Sequence, residues 1–400
     1  MDKTMADWFF MRRDFKKLKL EPEENRKFLF GKTDNEIRDT LLDEIEGASY
    51  ATDGYKAVLF GDYGRGKTHV CLHLMHEITR KELPVIPSYI KCPEFAAKEP
   101  FDSLFRGFVL SHRSEELNRI ATEYARKEKK GEVVPLYEIV KSEDVALVMS
   151  KGLAAVDPDA VKKCARWLGG ETKLDMQLVG GSLQPHLADS RDFGAVLKGL
   201  THMFATVDQK VPVYFIDEAE RLQQVNHPDT YFRWLAAMRE ITEISGVGMV
   251  FFIGANSKND IPVLLMQPEI QRRILVSNYL ELYPQGKDEI RNFVHELLST
   301  VIRKGTPPER QSKNLSPEAL DAAVPQELRD ITGNDAERLA AYPFDPDALE
   351  EFLTGVAEGA GSNKPSEILG RMQRAGLRVM RQGKRTIDLS AVNAVQQGGV

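Results

Sequence analysis

Short apolar runs alternate with amphipathic stretches along most of this chain. The apolar runs predict five buried strands, at Lys56–Phe60, Val85–Lys91, Val213–Asp217, Met249–Ala255 and Val276–Leu282. Hydrophobic residues at helical spacing lie between them, for example over Thr230–Ile244. Alternation of this kind predicts an α/β fold with a doubly wound parallel sheet.

The connection between the second and third predicted strands is much longer than a strand–helix–strand crossover needs. Between Cys92 and Lys210 the periodicity predicts helices at Ser114–Lys130, Leu136–Gly152, Pro158–Trp167 and Asp192–Val207, with a loop over Gly169–Gly181. We therefore predict a helical insertion over residues 96–208. Because connecting segments commonly carry specificity, we expect it to be the surface for a protein partner.

Beyond residue 286 the pattern changes to helices alone. A polar stretch, Gly305–Ser316, separates a helix starting near Lys287 from helices predicted at Asp345–Val356 and Lys364–Arg381. We predict three parts: an N-terminal arm over 1–24, an α/β domain over 25–286 and a small helical domain over 287–400. The arm combines Trp8-Phe9-Phe10 with basic residues. It could stack on nucleic acid, dock on a neighbouring subunit or pack on its own domain.

Composition narrows the class of protein. Of the 400 residues, 42% are hydrophobic and 28% charged, the balance of a globular protein. No apolar run approaches the roughly 20 residues of a membrane span, and the N-terminus is too polar for a signal peptide. The three cysteines show no metal-ligand spacing, so we expect reduced thiols and a cytoplasmic location. A net charge of −6 argues against extensive nucleic-acid coating but permits one basic face.

One glycine-rich segment follows the first predicted strand and precedes a helix. It matches G-x-x-x-x-G-K-[ST] in the strand–loop–helix setting that this motif requires. Glycines let the backbone wrap around phosphate oxygens, Lys67 places a positive charge on the β- and γ-phosphates, and the Thr68 hydroxyl joins the Mg²⁺ shell. The predicted ATP-binding residues are Gly61, Asp62, Tyr63, Gly64, Arg65, Gly66, Lys67, Thr68 and His69.

Three histidines, His69, His73 and His76, fall near one face of the following helix. Their spacing fits a metal site, but we favour core or solvated histidines because this helix should pack on the sheet.

Polar residues at two other strand ends supply the remaining chemistry. Asp217 is predicted to hold Mg²⁺ and Glu218 to orient and deprotonate the attacking water. Asn256, with Ser257 as the fallback, could bridge this water and the γ-phosphate. Arg272 and Arg273 follow near the end of a helix predicted at Pro268–Ile274. They are either a finger that reaches the nucleotide of a neighbouring subunit or a solvated helix end.

In this order the motifs resemble the origin-recognition-like clade of AAA+ ATPases. Phe30–Ile37 is similar to the clade's "F-x-G-R-x-x-E-I/L" segment, Ile253–Asn256 to its strand ending in Asn, and Gln271–Ile274 to its "S-R-L" finger. Tyr279–Pro284 then leads into a helix, as in the clade's small helical lid. The resemblance implies a P-loop AAA+ domain with a helical lid. It also implies a homo-oligomer that hydrolyses ATP with Mg²⁺ at its subunit interfaces, on or alongside DNA.

A narrower resemblance rests on shorter motifs. The glycine-rich loop, Arg166–Glu171 and Asp217–Glu220 look similar to ATP-binding proteins of BREX-type phage-defence systems, and transposition-regulator ATPases are comparable in plan. This resemblance implies a role in antiviral defence or in mobile elements.

The chain departs from the clade's pattern in its C-terminal helices. Ser366 stands where the clade has its sensor-2 arginine, so either Lys364 substitutes or that contact is missing. The clade normally continues into a winged-helix domain, for which the residues up to Val400 leave no room. We therefore expect any DNA contact to come from the ATPase ring, the insertion or the last long helix.

That last long helix carries an arginine stripe on one face, Arg371, Arg374, Arg378 and Arg381. Such a stripe could grip DNA phosphates, form a solvated face or pair with acids of a neighbouring subunit.

Two functions follow. The leading hypothesis is an AAA+ ATPase whose turnover drives assembly or remodelling of a DNA-associated complex. The alternative is a nucleotide-gated signalling or scaffold protein with slow turnover that acts through a protein partner.

Overall fold

The computed structural model describes residues 8, 9, 11, 26–51, 54–96, 98, 100–171, 187, 190–283, 286–301, 326–333, 335–358 and 364–397. Most of the N-terminal arm, most of the glycine-rich loop predicted at Gly169–Gly181 and the polar stretch Gly305–Ser316 lie outside these residues.

The strands form one five-stranded sheet. They are β1 (Lys56–Gly61), β2 (Val85–Lys91), β3 (Val211–Asp217), β4 (Gly248–Gly254) and β5 (Tyr279–Leu282), in the order β2-β3-β4-β1-β5. The β2–β3, β3–β4 and β4–β1 pairings are parallel. Every residue of β1, β3 and β4 is buried, which explains why their sequences are continuous apolar runs rather than alternating ones. The predicted α/β fold with a parallel sheet is confirmed.

In the first two thirds of the chain, helices precede, separate and connect these strands along the sequence. They are α1 (Lys32–Tyr50), α2 (Lys67–Arg80), α3 (Asp102–Leu110), α4 (Ser114–Lys129), α5 (Leu136–Val140), α6 (Glu143–Leu147), α7 (Pro158–Leu168), α8 (Ser190–Asp208), α9 (Pro228–Glu243) and α10 (Pro268–Gln271). Short π- or 3₁₀-helical turns occur at Val148–Gly152, Ala219–Gln224, Lys258–Asp260 and Val276–Asn278.

The C-terminal part is helical, as predicted. Its helices are α11 (Lys287–Val301), α12 (Gln326–Thr332), α13 (Ala336–Ala341), α14 (Pro346–Glu358), α15 (Pro365–Arg381) and α16 (Leu389–Gln396). Within the described residues no helix is both long and apolar enough to cross a membrane.

The chain divides into two compact units, each with its own hydrophobic core. The first unit comprises residues 1–37, 64–73 and 282–400, and the second comprises 38–63 and 74–281. Tyr63 is thus the last residue of the segment 38–63 of the second unit, and Gly64 begins the segment 64–73 of the first. This division follows from chain contacts, and the domain boundaries proposed from the sequence stay predictions.

The core of the second unit joins the sheet to the predicted insertion. Trp234 of α9 is fully buried and meets the rings of Phe95 and Phe101 edge-on, at centroid distances of 4.9 and 5.1 Å. Gly107 of α3 lies so close to Ile90 of β2 that a Cβ there would come within 2.7 Å of its Cγ2. The insertion helices thus pack directly on the sheet.

The core of the first unit holds the described part of the N-terminal arm. Phe9 is fully buried and contacts the Tyr342 ring edge-on, while the Trp8 indole N–H donates to the Lys384 carbonyl, 2.9 Å away. The Arg385 guanidinium lies 4.5 Å from the centre of the Trp8 ring. Of the three roles considered for the arm, packing within its own chain is the one that these two aromatic residues display.

The last helix of this unit has a well-satisfied N-cap. Asp388 accepts hydrogen bonds from the Ala391 N–H and the Ser390 hydroxyl, at 3.0 and 2.6 Å, and also pairs with Lys384. Burial raises the pKa of this carboxyl, but the three partners outweigh burial and lower the pKa to about 2.

Candidate functional site

The functional residues of the second unit gather where its parallel strands end. Gly61 of β1 is in register with Gly254 of β4, and Asp217 of β3 is in register with Lys91 of β2. Since parallel strands present their carboxyl ends at one edge of a sheet, the start of the phosphate loop and the acidic pair share that edge.

The acidic pair has two different environments. Asp217 is only 3% exposed, and its Oδ2 accepts a hydrogen bond of 3.0 Å from the Tyr89 hydroxyl. Its Oδ1 accepts from the Glu218 backbone N–H at 2.9 Å. Glu218 itself adopts φ of +56°, a left-handed conformation that costs a non-glycine residue about 1–3 kcal/mol and that turns the chain away from the sheet.

Two cations contact the Glu218 carboxylate. Lys91 Nζ lies 3.0 Å from Oε1, and the Arg221 guanidinium pairs with Oε2. The Glu218 side chain is 30% exposed, so water can reach it. Neither cation was predicted, although Lys91 ends the strand next to β3 and its register with Asp217 is the signal that could have found it.

A second glutamate, Glu220, links the ends of β3 and β4 by a hydrogen bond. Glu220 Oε2 accepts a hydrogen bond of 2.8 Å from the Gly254 N–H, beyond the point where the β3–β4 pairing stops. The Tyr63 ring covers Gly254, because a Cβ on that glycine would fall within 2.6–2.7 Å of ring atoms. Tyr63 is nevertheless 58% exposed, and burial together with Glu220 raises the pKa of its hydroxyl. Glu220 was not predicted as a site residue, because a third acid after a strand end is typical of an ordinary polar turn.

Asn256 and the two arginines lie on the same unit but differ in their surroundings. Asn256 is exposed and follows the end of β4. Helix α10 ends at Gln271, three residues earlier than expected. Arg273 pairs with Glu243 and donates to the Glu269 carbonyl, whereas Arg272 is exposed and makes no side-chain ion pair with a described residue. Burial, with Arg239 nearby, lowers the pKa of Arg273.

The phosphate loop of the first unit has the backbone that its glycines predict. Gly64 and Gly66 have φ of +78° and +100°, values that favour glycine strongly. A Cβ on Gly66 would meet open space, with nothing within 4 Å. Helix α2 begins directly after it, at the half-buried Lys67 and Thr68. The loop therefore has open space over Gly66 at a helix N-terminus, a setting suited to an anion.

The histidines of α2 are anchored to backbone carbonyls. His69 Nε2 pairs with the Phe28 carbonyl, and His73 Nδ1 donates to the Arg26 carbonyl at 2.7 Å. Burial lowers the pKa of His69, although its bond to Phe28 acts in the opposite direction. Among the described residues no cluster of three or more metal-ligating side chains occurs.

The first turn of α15 contacts the phosphate loop within the first unit. The Ser366 hydroxyl donates to the Gly64 carbonyl at 3.2 Å. A Cβ on Gly64 would lie 2.9 Å from Ser366 Oγ and 3.5 Å from Lys364 Cδ. Both residues considered at the sensor-2 position are therefore next to the loop, and which one acts on a nucleotide stays a prediction.

The arginine stripe of α15 is partly neutralised. Arg371 and Arg374 both lie 3.2 Å from Glu367 Oε1 on the same helix. Arg378 and Arg381 form no ion pair with any residue that the structure describes. The C-terminal half of the stripe therefore carries the positive charge that no described acid neutralises.

No model of a known protein family matches this sequence, and neither does any curated protein sequence. The chain is similar in fold to the ORC1 protein of Aeropyrum pernix in complex with DNA, at 13% identity over 98% of this chain and 70% of that chain, with a TM-score of 0.46. The ORC2 protein of that organism, in ADPNP-ADP complexes, follows at 11% identity, 91% and 68% coverage and a TM-score of 0.43.

Domain III of the Thermotoga maritima replication initiation protein DnaA is also similar, at 10% identity, 97% and 98% coverage and a TM-score of 0.40. The BREX-type resemblance stays a prediction. Likeness at this level concerns the fold, and function has to be argued from the residues of this chain.

Proposed function

We propose that this chain is a Mg²⁺-dependent ATPase. The observation that carries the proposal is the shared strand edge. A complete phosphate-loop motif leaves β1 at the edge where β3 delivers a buried aspartate followed by a solvent-accessible glutamate. A phosphate loop binds nucleotide, and an added strand-end carboxylate pair is what water-directed hydrolysis requires.

The residues fit the proposed ligand. Gly64 and Gly66 hold the positive φ values that bring backbone N–H groups around phosphate, and the space over Gly66 is open. Lys67 would neutralise the β- and γ-phosphates, and Thr68 and Asp217 would hold Mg²⁺. The metal ion would stabilise charge on the phosphate oxygens. Glu218 would orient the attacking water and accept its proton, and Asn256 would hold that water against the γ-phosphate.

Titration calorimetry with ATP and Mg²⁺ tests the binding step. We expect wild type to bind with a Kd in the micromolar range or tighter, and Lys67→Ala to weaken binding by about tenfold or more, because a desolvated Lys–phosphate contact is lost. Lys81→Ala, an exposed lysine just beyond the end of α2, is the matched control and should bind as wild type. Absence of ATP binding by the wild type would overturn the proposal.

We also propose that the active form is a homo-oligomer in which Arg272 acts in trans. Arg272 is exposed, while Arg273 is engaged with Glu243 and Glu269. Mixing Arg272→Ala with Glu218→Gln should therefore restore part of the ATPase activity, because each junction needs the finger of one subunit and the base of the next. If the two inactive variants stay inactive on mixing while forming mixed oligomers, Arg272 has no such role.

A DNA-associated role is the third part of the proposal. Arg378 and Arg381 supply positive charge that no described acid neutralises, and phosphate binding through arginines is salt-dependent. Fluorescence anisotropy with duplex DNA should show affinity that falls with salt and falls further in Arg378→Ala/Arg381→Ala. Equal affinity of the double variant would remove the stripe as a DNA contact. The setting in phage defence or mobile elements rests on the resemblance of short motifs alone.

A nucleotide-gated scaffold with slow turnover is the second function that a specific observation favours. Lys91 and Arg221 pair with the two oxygens of the Glu218 carboxylate, so the proposed base is already engaged by two cations. Such a protein would act through its 96–208 insertion. Two results would favour this function over the first. The turnover number would lie far below about 1 s⁻¹, the low end of typical enzyme rates, and DNA would not raise it. One defined protein partner would also be captured only in the presence of ATP.

A further inference from the structure

Arg65 is buried although it lies in the middle of the phosphate loop. Its side chain is 1% exposed and forms a bidentate ion pair with Asp34, in the first turn of α1. Nη2 lies 2.8 Å from Oδ1 and Nη1 lies 3.2 Å from Oδ2. A third donor, Nε–H, donates to the Tyr283 carbonyl at 2.7 Å. All three residues belong to the first unit.

Arg65 lies between two glycines of the loop, so its contact with Asp34 can restrict the shape of the loop. Gly64 and Gly66 have positive φ, and glycines have the largest choice of backbone conformations, so they alone do not select one loop shape. A planar guanidinium with three of its donors used at fixed angles does select one. The side chain therefore restrains the loop through its bonds to Asp34 and Tyr283.

The partner of Arg65 is itself fixed from the other side. Next to Asp34, the Thr33 hydroxyl donates to Glu289 of α11, and the Gly31 N–H donates to Glu296 Oε2 at 3.0 Å. Asp34 is 6% exposed. Burial raises the pKa of its carboxyl, as do Glu289 and Glu296, while Arg65 acts in the opposite direction. The loop is thus connected through the segment 31–34 to the first helix of the C-terminal part.

We infer that Arg65 is a positioning residue for phosphate binding: the buried Arg65–Asp34–Tyr283 contact holds the loop in its binding shape without touching the nucleotide. The inference rests on the proposed function. It differs from the prediction that Arg65 contributes to ATP binding directly, because the guanidinium is buried and bonded to Asp34 and Tyr283.

The test must separate loop position from stability. Arg65→Met leaves Asp34 buried without its partner, so it should destabilise the protein. The double variant Arg65→Met/Asp34→Leu removes both charges, and replacing a buried ion pair by apolar residues is often neutral for folding. We expect its melting temperature to return to near the wild-type value. We expect its Kd for ADP, measured by titration calorimetry, to stay at least about tenfold higher than that of the wild type, because a loop without this contact must be ordered on binding.

Two further variants complete the experiment. Arg291→Met/Glu350→Leu removes an ion pair of the same geometry between α11 and α14, and should bind ADP as wild type does. Arg65→Lys keeps the positive charge but loses the planar guanidinium that bonds Asp34 twice. We expect it to recover part of the ADP affinity, with a Kd between those of wild type and Arg65→Met.

The outcomes are distinguishable. A double variant that melts and binds ADP like the wild type overturns the inference, since the pair would then serve stability alone. If the double variant does not fold, Arg65→Lys decides, and wild-type affinity in that variant overturns the inference. If the wild type binds neither ATP nor ADP, the proposed function fails first, and the failure is not that of Arg65.

Discussion

Replacing Glu218 by glutamine separates catalysis from folding in this chain. The substitution keeps the size of the side chain and its left-handed backbone position but removes the charge that would accept a proton from water. Loss of a general base typically lowers the rate by 10²–10⁴, or about 3–5 kcal/mol of barrier. We expect a loss of that size in the single-turnover hydrolysis rate, with ATP affinity unchanged.

The cost for folding is much smaller. Lys91 is 59%, Glu218 30% and Arg221 23% exposed, so solvent screens both ion pairs. Glutamine keeps an oxygen that can still accept from either cation, so we expect a loss of at most about 1 kcal/mol. For a unit of this size that corresponds to a fall in melting temperature of about 2–4 °C. A rate loss of two decades or more with a shift of only a few degrees is the expected signature.

The neighbouring acid provides the control. Glu220→Gln retains a carbonyl oxygen that can accept from the Gly254 N–H, so its hydrolysis rate should stay within roughly threefold of the wild-type rate. Turnover of Glu218→Gln within threefold of wild type would refute the assignment of the base. Equal losses in both variants would show that the strand ends are disturbed in general.

Three further changes have defined outcomes. Gly66→Ala forces a side chain into φ of +100°, at about 1–3 kcal/mol of strain, and its Cβ enters the space reserved for phosphate; calorimetry should show ATP affinity falling at least about tenfold, more than stability falls. Gly248→Ala brings a Cβ within 2.6 Å of Val213 Cγ2 between two buried strands, so denaturant unfolding should show a loss of about 1–3 kcal/mol; an unchanged midpoint would contradict the register. Asp388→Asn removes a carboxylate whose pKa is lowered to about 2, so its stabilisation is fully present above pH 4 and is lost as the pH falls towards 2; the melting temperatures of variant and wild type should differ at pH 6 and converge near pH 2.

The sequence was sufficient for those parts of the molecule that depend on local pattern. Continuous apolar runs located β1 to β4 within one or two residues, because buried parallel strands need apolar residues on both faces. The phosphate loop was evident because its glycines and Lys67 have a fixed spacing. The helix before Arg272 was predicted too long, because sequence periodicity does not show that the chain leaves helical geometry after Gln271.

The missed site residues are those whose role depends on partners far along the chain. Lys91 and Glu218 are 127 positions apart and meet only because β2 and β3 pair in parallel. The motif predicts Arg65 only as one more ATP-binding residue of the phosphate loop, since nothing in it indicates a buried carboxylate 31 positions earlier. Periodicity identifies which residues are buried, but it does not identify which buried charges are paired.

The long sequence separations within the first unit have a consequence for synthesis on the ribosome. The carbonyl that Arg65 contacts belongs to Tyr283, 218 positions later, and the Gly31–Glu296 contact spans 265 positions. At ordinary translation speeds of 5–20 residues per second, about 10–45 s separate the emergence of Arg65 from that of Tyr283. During that interval the loop lacks this contact. Strands β1 to β4 lie in the second unit, whose residues all precede Tyr283, so their sheet can form on the emerging chain before the loop acquires it.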